Sequence, residues 1–125
     1  MGDLSKNFSR SEFACKGQDC CEHSAPVHPE LISALQELRE KVMVPLTINS
    51  GFRCNRHNRA IGGAAQSFHR LGMAADIACP KGMTPETLAQ AAEAIPAFHE
   101  GGIGIYPSWV HLDVRITGKA RWRND

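Results

Sequence analysis

Apolar residues recur at helical spacing in the stretch that begins at Pro29. Leu31, Leu35, Leu38 and Val42 share one face, and Glu37, Arg39, Glu40 and Lys41 stand among the polar positions. Pro29-Glu30 opens this amphipathic helix, and Pro45 lies beyond its end. A second helix opens at Thr84-Pro85-Glu86, with a capping threonine, a first-turn proline and an early carboxylate. It continues through Leu88, Ala91, Ala92 and Ile95 and ends near Pro96. Residues 7–13 read as a short helix start with Ser9 or Ser11 as cap. Strands are expected at Leu46-Thr47-Ile48, at 73–78, and at 102–105 and 109–116, the last two joined by a turn at Pro107-Ser108. Residues 15–26 read as a loop. Residues 51–66 hold Gly, Asn, Arg and His and few large apolar side chains, which predicts a long surface loop with one helical turn at 55–60. Long loops inside compact domains usually carry function. Helices come first and strands concentrate later, so the pattern predicts an α+β domain with a mainly antiparallel sheet.

The chain has 125 residues, enough for one core, and no repeat or linker divides it. A single domain over 1–125 is expected, with an N-terminal arm at 1–12 and a basic tail at 118–125. A net charge of +1 offers no bulk electrostatic case for nucleic acid or membrane binding. Arg115, Lys119, Arg121 and Arg123 cluster near the end and read as a solvated basic face. The first residues hold no apolar stretch long enough for a signal peptide or a membrane span, so synthesis in the cytoplasm is expected, as is a monomer.

Candidate chemistry centres on Ser67-Phe68-His69-Arg70-Leu71-Gly72-Met73-Ala74-Ala75-Asp76 and on Trp109-Val110-His111-Leu112-Asp113-Val114. His69, Asp76 and His111 together are two imidazoles and one carboxylate. That donor set suits a zinc ion with one position left open, the catalytic form of zinc site. His111 lies mid-strand, so Val110 and Leu112 point to the opposite face, whereas Asp113 shares the face of His111. Five cysteines are an odd number for a disulfide framework. Cys15, Cys20 and Cys21 with His23 suggest a second zinc site, although the spacing is not a paired Cys-x-x-Cys. The alternative is a set of buried thiols. Cys54 follows Arg53 directly, and Cys79 reads as a core residue.

Ser67-x-His69-x-x-Gly72-x-Ala74-x-Asp76 resembles the motif of the zinc D-alanyl-D-alanine carboxypeptidases of the M15 group, which are related in fold to the hedgehog signalling domain. Ser50-Gly51-Phe52-Arg53, Ile61-Gly62-Gly63-Ala64, Gly101-Gly102-Ile103-Gly104 and Val110-His111-Leu112-Asp113 are similar to flanking segments of its small single-domain branch. The resemblance runs from about Phe13 to Trp122. It implies a hedgehog/DD-peptidase-like fold, with N-terminal helices packed on a small sheet. It also implies a Zn2+ cofactor on His69, Asp76 and His111, and peptidoglycan stem peptides as substrate, cut as a D-Ala-D-Ala carboxypeptidase or an L-Ala-D-Glu type endopeptidase. This branch is common in phage and prophage genomes. A lysis enzyme released to the cell wall through a holin pore is therefore the expectation, with a virion-associated tail peptidase as the variant.

The resemblance further implies that Arg53 binds the peptide. An arginine fork suits a terminal carboxylate. Ser67 hydrogen-bonds substrate or orders its loop. Related enzymes carry a glutamate three residues before the last histidine ligand, or a histidine two before it. Ser108 and Trp109 stand at those positions here, and neither can move a proton. Asp113 is the candidate replacement, with orientation of His111 as its alternative role. His99 and Glu100 are weaker candidates. Tyr106 and Trp109 are candidates for the cleft wall, and Arg56, His57 and Arg59 for its rim. The missing proton carrier also opens a rival reading, a non-catalytic zinc-containing module that binds peptide or cell wall.

Overall fold

In the computed structural model, which describes residues 2–18, 20–23 and 25–124, the apolar stripe forms α1 (Pro29–Val42) and buries Leu31, Ile32, Ala34, Leu35 and Leu38. The imidazole of His28 caps this helix by accepting from the Glu30 amide. Ahead of it, a 3-10 turn at Arg10–Phe13 carries a reciprocal capping box between Ser9 and Glu12. The N-terminal arm is not free. Phe8 and Phe13 are fully buried with rings 6.0 Å apart, and Gln36 of α1 accepts from the Ser5 hydroxyl and the Asn7 amide.

Strand β1 (Ile48–Ser50) begins later than the expected Leu46, since Pro45 precedes that stretch and only Thr47 accepts from the sheet. The helical turn expected at 55–60 is α2 (Asn55–Ala60), and β2 (Ala74–Ala78) carries Asp76. The second long helix stops earlier than expected. It runs as α3 (Pro85–Glu93), and Pro96 then opens a separate short α4 (Pro96–His99), because a proline ring is tolerated only in a first turn. β3 (Gly102–Ile105) and β4 (Trp109–Asp113) follow. β4 ends at Asp113 instead of Ile116, where the Arg115 side chain folds back onto Asp113.

The sheet order is β1-β2-β4-β3-β5, and the element missing from the sequence reading is β5 (Ala120–Arg123). Residues 118–125 were expected as a solvated tail. Instead β5 pairs in parallel with β3, so the sheet is mixed. The basic side chains there are engaged as well. Arg121 grips Glu93 with two bonds of 2.7 Å and reaches the carbonyls of His99 and Gly101, while Arg123 pairs with Glu86. The remaining strand pairs are antiparallel. The helical layer is not N-terminal only, because α3 and α4 fall between β2 and β3; they pack with α1 and cover the sheet. One core joins Leu35, Leu38, Phe13, Ile77, Leu88, Phe98, Val110 and Leu112.

The thiols also assemble differently from expectation. His23 turns its Nδ1 to the Cys15 carbonyl at 2.9 Å, and the fourth place beside Cys15, Cys20 and Cys21 belongs to Cys54 at the start of α2. Cys79 reaches the Met83 carbonyl instead of lying deep in the core.

Gly104 decides where β5 can lie. It sits on β3 between His111 of β4 and Trp122 of β5, and a Cβ there would run into the indole. Gly104→Ala should therefore unseat Trp122. The expected cost is about 1–3 kcal/mol of overpacking, read as a lower denaturation midpoint with a shift in tryptophan emission. An unchanged midpoint and spectrum would show that this glycine does not set the strand's place.

Candidate metal centre and cleft

The chain enters the centre through the β1 end and a tight turn. Phe68–Leu71 forms a 3-10 turn capped by Ser67, whose hydroxyl accepts from the His69 amide at 3.2 Å. Gly72 closes it at φ 69°, and a side chain there would strike the Pro26 carbonyl. This turn drives His69 inward until it is 2% exposed. Asp76 and His111 then meet by register, since they are direct partners across β2 and β4.

Hydrogen bonds on the far side of each imidazole decide which nitrogen faces the centre. His69 Nδ1 lies 2.7 Å from the Gly51 carbonyl, which can only accept, so Nδ1 carries the proton. Its Nε2 is left as a lone pair, buried and without a hydrogen-bond partner, 3.3 Å from Asp76 Oδ1. His111 Nε2 lies 2.7 Å from Asp113 Oδ2, and its Nδ1 lies 3.2 Å from the same Asp76 oxygen. When both rings are neutral and their protons so placed, three acceptors converge with no proton between them. That arrangement is repulsive unless a cation joins them. Tetrahedral zinc about 2.0–2.1 Å from its nitrogen and oxygen ligands sets those ligands about 3.3 Å apart, which the observed spacings match. The residues present therefore fit a metal ion.

The carboxylates are tuned for this task. Burial pushes Asp76 upward, but hydrogen bonds and charge from His111 and His69 outweigh it and hold the group well below the usual carboxylate range. Arg53 Nη2 engages the other oxygen of Asp76 at 3.1 Å, which leaves Oδ1 turned toward both imidazoles. For His111, burial favours the neutral ring, but hydrogen bonds and charge from Asp113 and Asp76 outweigh it and raise its pKa.

Asp113, the candidate proton carrier, is fully buried. Its Oδ1 accepts from the Gly102 amide at 2.8 Å, the Arg115 amide at 3.1 Å and Arg115 Nε at 2.9 Å, and its Oδ2 from His111 and from Arg115 Nη2 at 2.7 Å. Burial raises its pKa, yet Arg115 and His111 prevail and keep it ionised. No oxygen remains to receive a proton from the cleft. His99 and Glu100 are remote from the centre: His99 lies against Glu93, Glu100 and Lys119.

The centre opens into a cleft of about 580 Å³, whose walls include Arg53, Ser67, Phe68, Tyr106, Trp109 and Trp122. Tyr106 and Trp109 stack at 4.5 Å and 8°. Trp122 donates to the Tyr106 hydroxyl at 2.9 Å and sets its ring 5.0 Å from that of His111. Comparable hollows along α1 hold no convergent donor set among the described residues. Of the residues singled out from the sequence, the structure brings His69, Asp76 and His111 together and places Arg53, Ser67, Tyr106 and Trp109 on the cleft wall. Sequence reasoning missed Trp122 and Arg115, which it assigned to the basic tail and cluster. Arg115 instead clamps Asp113 and lies 4.4 Å over the Phe68 ring. The one available signal was the pair Gly102 and Gly104 in a strand, where glycine often marks close approach of another group.

No curated protein matches the chain. A family model described as Peptidase M15 matches residues 6–113. That span holds the three donors together with Arg53, Ser67 and Asp113, and it stops before Arg115 and Trp122. The chain belongs to the Peptidase M15 family.

Proposed function

We propose that this domain is a zinc-dependent peptidase that hydrolyses peptidoglycan stem peptides, as a D-Ala-D-Ala carboxypeptidase or an L-Ala-D-Glu type endopeptidase, and serves phage lysis of a bacterial wall. The observation that carries the metal is the buried, unpartnered Nε2 of His69, aimed at Asp76 Oδ1 beside His111 Nδ1. The family is zinc dependent. His69, Asp76 and His111 would hold the ion, which when bound supplies an activated water and a Lewis acid for the scissile carbonyl. Gly51 and Asp113 keep both imidazoles in the ligating tautomer. Arg53 steadies Asp76 and stands in the cleft wall, where its guanidinium attracts a peptide carboxylate. Ser67 orders the His69 turn. The aromatic wall of Tyr106, Trp109 and Trp122 excludes water from one side of the substrate.

The lysis role rests on the resemblance to a branch common in phage genomes, with delivery through a holin pore. No helix among the described residues is long and apolar enough to cross a membrane. A second reading is supported by the cleft itself. Among the described residues, its walls carry no carboxylate or imidazole besides the three donors. A module that holds zinc and binds wall peptides without cutting them would need none.

Mass spectrometry of purified peptidoglycan incubated with the protein separates the two. Peptide products that disappear with a zinc chelator are expected, and their masses name the bond. Metal-loaded protein that yields no products would establish the binding module instead. His69→Ala should abolish product formation, and full activity in that variant would rule out the proposed centre. Asp113→Asn should weaken zinc affinity in the cleft about 10–100-fold, the usual effect of losing a carboxylate behind a histidine ligand. Unchanged affinity with lost turnover would return Asp113 to the role of proton carrier.

A further inference from the structure

The cysteines near the N-terminus lie outside the cleft, and the proposed reaction does not use them. Cys15, Cys20, Cys21 and Cys54 bring four sulfurs within 4.8 Å of one another. Three of the separations are 3.9 Å for Cys15 to Cys20, 3.9 Å for Cys15 to Cys54, and 3.8 Å for Cys20 to Cys21. A tetrahedral zinc with Zn–S bonds of about 2.3 Å holds its sulfurs about 3.8 Å apart. A disulfide needs about 2.05 Å, and no disulfide joins cysteines among the described residues. The spacing is therefore that of ligands around an ion.

Two further features fit. Gly17 is buried against the group, and a Cβ there would come within 2.7 Å of Cys20 Sγ and 2.8 Å of His57 Cβ, so the loop wraps the sulfurs with no room for a side chain. The His57 amide points at Cys54 Sγ from 3.4 Å, a donor that favours the thiolate. Directly after Cys21, Glu22 and His23 both adopt left-handed backbone, at φ 55° and 60°. Such residues persist where their surroundings over-determine them; the His23 ring bonds to the Cys15 carbonyl, and the sulfur cluster stands beside the same turn.

We infer that Cys15, Cys20, Cys21 and Cys54 hold a structural zinc ion that ties the N-terminal loop to the start of α2. Four protein ligands close the coordination shell, so this ion binds no water and does no chemistry. Its effect on the cleft is indirect. Cys54 follows Arg53, the Phe52 amide bonds to the Phe13 carbonyl, and the Arg53 amide bonds to the His69 carbonyl. The ion thus anchors the segment that presents Arg53 and the Gly51 carbonyl. The inference is independent of the proposed activity.

Elemental analysis of the full chain with the cleft centre removed tests it. His69→Ala protein, dialysed under reducing conditions, should retain one zinc per chain. After exchange to cobalt it should show the strong sulfur-to-metal absorption of a tetrahedral tetrathiolate. Cys20→Ser/Cys21→Ser in that background should lose both the ion and the absorption. His69→Ala protein without zinc, cobalt bound without the sulfur band, or a non-reduced mass lighter by the hydrogens of a disulfide would each overturn the inference. The parent His69→Ala measurement decides the matter even if the cysteine variant does not fold.

Discussion

A buried charge organises this molecule. Asp113 is fully shielded from water, and an ionised carboxylate there is tolerable only with its oxygens satisfied. The partners that satisfy it come from three directions: the Gly102 amide on β3, the ring of His111 on its own strand, and the guanidinium and amide of Arg115 beyond the strand's end. Through these bonds Asp113 sets the tautomer of His111, ends β4, and pins Arg115 over Phe68, next to the turn that carries His69. Gly102 lacks a side chain because a Cβ would collide with this carboxylate and the arginine.

The candidate metal centre follows from the same logic applied twice. Each imidazole spends its proton on an acceptor outside the centre, the Gly51 carbonyl for His69 and Asp113 for His111. The nitrogens that remain face Asp76 as bare acceptors, an arrangement that favours a cation. The two acceptors behind the rings differ in consequence. Both fix the tautomer and orientation of the ring, and the charged carboxylate raises its basicity and its strength as a ligand more than a neutral carbonyl does.

Much of the site was legible because it is written locally. Ser67, His69, Gly72 and Asp76 lie within one turn and one strand, and each has a short-range reason to be there: a cap, an inward donor, a left-handed turn and a register position. α1 was legible for the same reason, since a periodic apolar stripe needs only one partner surface. β5 was not. Its apolar content is little more than Trp122 between Arg121 and Arg123, and it gains its place by pairing with β3 and by arginine pairs to α3. A parallel pairing across an intervening strand and turn leaves no local periodicity to read.

The sequence by itself determined the family and the α+β class, and it singled out His69, Asp76, His111 and Arg53 as candidates, because these depend on residue types at short spacing. Tertiary structure alone decided three matters. It surrounded both oxygens of Asp113 with donors, an arrangement that suits a positioning group, since the number of donors around a carboxylate is a matter of packing. It replaced His23 by Cys54 in the thiol cluster, since proximity across a loop and a helix start is not encoded in spacing. It turned a basic tail into the cleft's third aromatic wall, since burial of Trp122 needs the hollow that Gly104 leaves in a neighbouring strand.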